Sequence, residues 1–185
     1  MMTFIQHYDS PLGDILLAAD DVGLTGLWFE GQKYFAATLP AEVQIKETPA
    51  LREGRRWLDL YFAGKEPVTS PPLHLIGTPF RLSVWKILSE IPYGKTTTYG
   101  DIAQRLAQER GLPRLSARAV GSAVGRNPIS LIIPCHRVIG RNGRLTGYAG
   151  GLHRKAYLLA MEKRHGDRET LDLKTLDFRF QTSDL

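Results

Sequence analysis

Asn127-Pro128-Ile129-Ser130-Leu131-Ile132-Ile133-Pro134-Cys135-His136-Arg137-Val138 is the stretch to which the rest of the chain refers, and it holds the only cysteine among 185 residues. Leu131 to Ile133 is a run of aliphatic and β-branched side chains, which predicts a short buried strand. Pro134 has no amide proton for a ladder, so the strand should stop there and deliver Cys135 at its end, beside His136 and Arg137. The plainer reading of a lone cysteine after an apolar run is an inert buried thiol, since free cysteine is among the most buried residue types. The functional reading is a nucleophile. A neighbouring cation or histidine base raises the thiolate fraction, and the thiolate is the attacking species.

Downstream, Ile139 to Arg144 reads as a turn whose strongest signal is Asn142-Gly143. Gly147-Tyr148-Ala149-Gly150-Gly151 is a loop whose backbone can approach a ligand closely. It lacks a P-loop lysine and is not read as a phosphate cradle. Leu152 to Glu162 is a final helix. Upstream, Ser116 to Gly125 is a short helix with an almost side-chain-free surface of Ala117, Ala119, Gly121, Ser122 and Gly125, anchored by Val120 and Val124. An interior glycine costs a helix about 1 kcal/mol against alanine, so this smooth surface needs a reason. Close approach to a DNA minor groove, about 6 Å wide, is one; tight helix–helix packing is the other. Arg118 is the one long side chain on that face.

Tyr99 to Ala107 is a second short helix, and the pair, joined by a loop with Gly111 and Pro113, reads as a helix-turn-helix. Thr78-Pro79-Phe80 opens a further helix with a hydroxyl cap followed by proline. Phe80, Val84, Trp85, Leu88 and Ile91 form its inner stripe, and Pro92 ends it. The first part of the chain is of another kind. Phe4 to Tyr8, Ile15 to Ala19 and Leu24 to Phe29 read as strands, Gln32 to Leu39 as weakly helical, and Pro49 to Phe62 as an amphipathic helix closed by Gly64. No catalytic constellation is legible there; His7 and His74 read as ordinary edge residues. Prolines at 67, 71 and 72 mark a linker. Leu171 to Phe180 alternates like a strand in its second half, which reads as an extra edge strand or a partly ordered tail.

Charge divides in the same way. Residues 1–77 carry 6 Lys and Arg against 10 Asp and Glu, residues 78–164 carry 15 against 4, and residues 165–185 carry 3 against 5. A compact basic half predicts a polyanionic partner, and nucleic acid is the commonest. A single cysteine excludes an internal disulfide and a thiolate-rich zinc site, which fits a reducing, cytoplasmic setting. No segment approaches a membrane span, and Met1-Met2-Thr3-Phe4 opens no secretory signal.

Pro134-Cys135-His136-Arg137-Val138, with Asn127-Pro128 before it and Gly147-Tyr148-Ala149-Gly150-Gly151 after it, resembles the active-site signature of the O6-alkylguanine-DNA alkyltransferases, over about Thr78 to Glu162. The resemblance implies an α+β protein: a small N-terminal α/β sheet domain (1–75), a mainly helical DNA-binding domain with a winged-helix-like helix-turn-helix (76–165), and a C-terminal extension (166–185). It implies irreversible transfer of the alkyl group from O6-alkylguanine, and O4-alkylthymine, in double-stranded DNA to Cys135. His136 would be the base, Glu162 its orienting carboxylate, Asn127 the residue pinning the turn, and Tyr99 the phenol assisting the departing purine. Arg118 would fill the gap left by the flipped nucleotide, or else contact phosphate, with Ala117, Ala119, Gly121 and Ser122 against the groove. Val138, Tyr148, Ala149 and Gly150 would form the base pocket. No metal or cofactor, and a monomer, are expected. The loop from Gln108 to Leu115 is longer than the family pattern, and Ala149 stands where several relatives have serine. A sensor of alkylated bases without transfer activity is the alternative from another class. A cysteine hydrolase would need an oxyanion hole, for which the sequence offers no sign.

Overall fold

The computed structural model describes residues 1–166; the strand expected at Leu171 to Phe180 lies outside them. Four strands, β1 (Thr3–Ser10), β2 (Gly13–Ala19), β3 (Leu24–Phe29) and β4 (Val43–Ile45), form a sheet in the order β3-β2-β1-β4. The first three pair antiparallel, while β4, which the sequence did not announce, runs parallel to β1. Helix α1 (Pro49–Phe62) lies on this sheet. Thr48 caps it, Pro49 opens it, and its buried side chains include Leu51, Trp57, Leu58 and Tyr61. At Gly54 a β-carbon would stand 3.1 Å from Leu24, so glycine sets how closely helix and sheet approach.

Residues 32–39 are not helical. Tyr34 and Ala36 take φ of 60° and 51°, and the segment closes successive four-residue turns, Phe35 to Gln32, Ala37 to Tyr34 and Leu39 to Ala36. Tertiary burial overrides the weak propensity: Ala36 and Leu39 pack on the outer sheet face beside Leu16, Ala18 and Trp28.

The second half is helical. α2 (Pro79–Ser89), α3 (Tyr99–Glu109), α4 (Ala117–Gly125) and α5 (Leu152–Gly166) each start within a residue of where the sequence placed them. Thr98 and Asp101 make a reciprocal capping box on α3, and Ser116 caps α4. α3 and α4 pack together as the helix-turn-helix, with α2 against both. The long connection folds back, with the Arg110 guanidinium donating to Ser83 Oγ at 3.0 Å and lying over Phe80. A two-stranded parallel pair, β5 (Thr97–Thr98) and β6 (Val138–Ile139), joins the start of α3 to the stretch after the cysteine.

One apolar core runs through both halves, from Leu17, Leu27 and Leu58 to Val84, Trp85, Val120 and Leu158. The outer edge of β3 is the seam. Leu27 N donates to Pro128 O, Ser130 N donates to Leu27 O, and Leu24 exchanges bonds with Pro72 and His74 from the proline-rich linker. Among the described residues no helix is long and apolar enough to cross a membrane.

Candidate active site

The expected strand at Leu131 to Ile133 does not form. Only Ile129 pairs with the sheet, in a single bridge to Leu27. Beyond it the chain winds through tight turns: Ile132 N bonds Ser130 O, Ile133 N bonds Ile129 O, and Leu131 takes φ of 70°. Apolarity reported burial here, not extension, because a buried backbone can satisfy its polar groups through a side chain as well as a ladder. Asn127 provides that. Buried, it donates from Nδ2 to Ile133 O (2.8 Å) and accepts from Ile129 N at Oδ1 (3.0 Å). Cys135, His136 and Arg137 then form one 3-10 turn, all three buried.

That turn separates the side chains. Arg137, expected as a cation beside the thiol, instead grips Glu162 through Nε (2.9 Å) and Nη2 (3.0 Å) and donates to Ile91 O. The cation acting on the sulfur is Lys155, from the first half of α5. Burial pushes the Cys135 thiol up, so at rest it is protonated; the Asn127 amide and the Lys155 ammonium act against this. A thiol protonated at rest would need a base before it could attack.

His136 Nε2 lies 2.7 Å from Glu162 Oε1, and its Nδ1 has no hydrogen-bond partner among the described residues. Burial pushes the imidazole pKa down, although Glu162 works in the other direction. A carboxylate only accepts, so the ring proton sits on Nε2 and the lone pair on Nδ1. Glu162 is 1% exposed and accepts from five donors: Tyr61 Oη (2.8 Å), His136, two nitrogens of Arg137, and Gly94 N. Burial alone would raise its pKa, yet the bonds from His136 and Arg137 hold the carboxyl well below its ordinary range.

A cavity of about 610 Å³ opens beside the sulfur. Tyr148 and Ala149, expected in the base pocket, line it with Cys135, and so do Tyr99 and, from the expected groove face, Ala117, Arg118, Gly121 and Ser122; Val138 and Gly150, also expected in the pocket, and Ala119 of the groove face do not. Ala119 faces solvent. Val138 is buried, and its carbonyl receives the Lys155 ammonium at 2.5 Å. Gly150 is hemmed in, since a β-carbon there would stand 2.7 Å from the Tyr148 ring. Tyr99 donates to Thr146 O at 3.0 Å, and burial, then the proximity of Cys135, raises its pKa. Tyr148 also keeps its proton, and its buried hydroxyl lacks a partner among the described residues.

Four contributors were missed. Lys155, wholly buried, bonds the carbonyls of Val138 and Gly147, and burial lowers its pKa to about 8. Nothing marks a lysine as buried in a helix pattern, because lysine is ordinarily exposed. Lys33 and Tyr34, from the segment misread as helix, line the cavity, and Lys33 N donates to Ala149 O at 2.9 Å. Tyr61 belongs to α1, in the half where no catalytic group was legible, and it reaches Glu162. Contacts so distant in sequence leave no local signal.

Comparison with known proteins agrees with this geometry. Residues 4–75 match the ribonuclease-like domain, and residues 79–164 the DNA binding domain, of 6-O-methylguanine DNA methyltransferase. The methylated-DNA–protein-cysteine methyltransferase of Methanosarcina acetivorans is 47% identical over 156 residues, covering 84% of this chain and 95% of that protein. Its namesake from Mycobacterium leprae is 45% identical, covering 88% and 93%. The crystal structure of Mycobacterium tuberculosis OGT in complex with DNA superposes with a TM-score of 0.74 at 41% identity, covering 88% of this chain and 94% of that one. With both domains matched in order and its length spanned by such relatives, this chain belongs to the 6-O-methylguanine DNA methyltransferase family.

Proposed function

We propose that the chain repairs alkylated duplex DNA directly, moving the alkyl group from O6 of a guanine rotated out of the helix to Sγ of Cys135. The thiol proton passes through a bridging water to His136 Nδ1, and Glu162 offsets the charge of the imidazolium that results. The thiolate forms a carbon–sulfur bond as the carbon–O6 bond breaks, and the bonding pair stays with O6. Tyr99, whose raised pKa keeps its proton until a strong base appears, supplies a proton to the purine, so guanine leaves neutral. The thioether has no route back to thiol, and each molecule acts once.

The basic half and its helix-turn-helix support duplex DNA as partner. The glycines of α4 support close approach of a groove. A β-carbon at Gly125 would meet nothing within 4 Å and one at Gly121 only an ordinary contact with Tyr99, so packing within the protein gives no reason for them. Arg118, exposed at the cavity mouth, fills the stack behind the flipped base. Residues 1–75 and 76–165 are taken as the two working units, acting as a monomer in a reducing cytoplasm, where a lone free cysteine stays a thiol.

The observation that carries this reading is a buried cysteine on a cavity, next to a histidine whose Nε2 is held by Glu162 while Nδ1 has no partner among the described residues. The test is to mix the protein with duplex DNA bearing O6-methylguanine and weigh the peptide containing Cys135. A gain of one methylene, stopping at one equivalent, is expected. Tight binding with no gain would make the chain a sensor, and turnover beyond one equivalent would rule out the suicide mechanism.

A further inference from the structure

The half of the chain that carries no nucleophile nevertheless sends one polar group into the proton relay. Tyr61 lies on the last turn of α1, fully buried, and its hydroxyl stands 2.8 Å from Glu162 Oε1 and 3.3 Å from His136 Nε2. Its ring is fixed independently of those bonds. It stacks on Trp57 with centroids 5.0 Å apart and meets Phe62, Tyr93 and His136 edge-on. A phenylalanine would satisfy all that packing. The hydroxyl is therefore an addition that the core does not need, placed on the one carboxylate oxygen that also holds the histidine.

We infer that Tyr61 is a positioning residue for alkyl transfer, through which the N-terminal half sets the orientation and basicity of His136. This rests on the relay described above. By donating to Oε1, the hydroxyl draws off part of the charge that Glu162 presents to the imidazole, and its own oxygen offers Nε2–H a second acceptor. The ring is thereby held by Nε2, which leaves Nδ1 without a partner among the described residues, as second-layer partners hold catalytic histidines elsewhere. The charged and titratable groups around His136 are Glu162 and Lys155 from α5, Cys135 and Arg137 from its own turn, Tyr61 from α1 and, behind Glu162, Tyr93. Of these, only Tyr61 comes from the sheet domain.

The sign of the effect follows. Without the hydroxyl, Glu162 binds the imidazolium more strongly and His136 becomes easier to protonate. The acid limb of the transfer rate then moves to higher pH. The test measures single-turnover alkyl transfer from O6-methylguanine duplex against pH for the parent, Tyr61→Phe, and protein with difluorotyrosine incorporated at position 61. Tyr61→Phe is expected to lower the plateau rate about tenfold and raise the acid limb by about half a unit, with duplex affinity unchanged. Difluorotyrosine, a stronger donor of the same shape, is expected to lower the limb, and this measurement stands if the phenylalanine variant folds poorly. An acid limb identical in all three proteins overturns the inference while leaving the relay intact, as does a rate loss that follows thermal stability with no change of limb. A parent that shows no acid limb, together with a fully active His136→Ala, would overturn relay and inference alike.

Discussion

The two halves bury polar groups in different ways. Apart from the Tyr61 hydroxyl, the buried polar residues of the sheet half are Thr3, Ser10, Asp20 and Gln32, and only one of these four is ionisable. Each serves its own neighbourhood: Asp20 accepts from the amides of Val22 and Gly23 and from His74, and Ser10 closes the turn to Gly13. In the helical half Asn127, Ser130, His136, Arg137, Lys155 and Glu162 are buried, four of them ionisable. Three of those four, His136, Arg137 and Glu162, share one hydrogen-bonded cluster. Buried charge is expensive unless paired and bonded. A fold that collects it in one place marks a candidate for chemistry, and the contrast separates local, turn-making polarity from one connected cluster.

Substitutions test that contrast. Cys135→Ser removes alkyl transfer altogether while unfolding and duplex binding stay near the parent, as read by the mass of the Cys135 peptide and by DNA titration. Glu162→Ala strands His136, Arg137 and Tyr61 together, and denaturant unfolding should register a loss of about 3–5 kcal/mol. Arg118→Ala leaves stability alone and lowers the transfer rate from duplex about a hundredfold, because the flipped state loses what fills its gap. Transfer from the free base O6-benzylguanine should be untouched, since nothing there has to be unstacked.

The local half should respond less. Asp20→Asn weakens one turn and is expected to cost about 1–2 kcal/mol. Its carboxyl is buried, which raises its pKa, but His74 and two amides hold it below the ordinary 3.8. Stability from Asp20 is thus present above that value and lost as pH falls beneath it. Glu162 behaves likewise below its ordinary 4.5. Unfolding followed across acid pH should lose more of its pH dependence in Glu162→Gln than in Asp20→Asn. Gly121→Ala reverses the usual direction: the helix gains about 1 kcal/mol while duplex repair falls, because within the protein the added methyl meets only an ordinary contact with the Tyr99 ring, and it stands on the face proposed to meet the groove. His7→Ala, at an exposed pair with Asp14, should shift stability by no more than about 0.5 kcal/mol.

Much of the frame was legible along the chain. Thr78-Pro79 announces its helix start because a cap is chemistry between residues three apart. Asn142-Gly143 announces its turn because both residues adopt left-handed angles, here φ of 62° and 77°. Cys135, His136, Tyr99, Arg118 and Glu162 could be named because motif and charge asymmetry report chemistry without geometry. Folding alone settled the rest. Leu131 to Ile133 wound into turns, since an apolar run reports burial and says nothing of backbone shape when a buried Asn127 can satisfy the Ile133 carbonyl and the Ile129 amide. Arg137 went to Glu162 and Lys155 to the sulfur's side, and Tyr61 arrived from 101 residues away. Those partnerships are choices among donors that only a closed core makes, because the value of each bond depends on which other groups have lost their water.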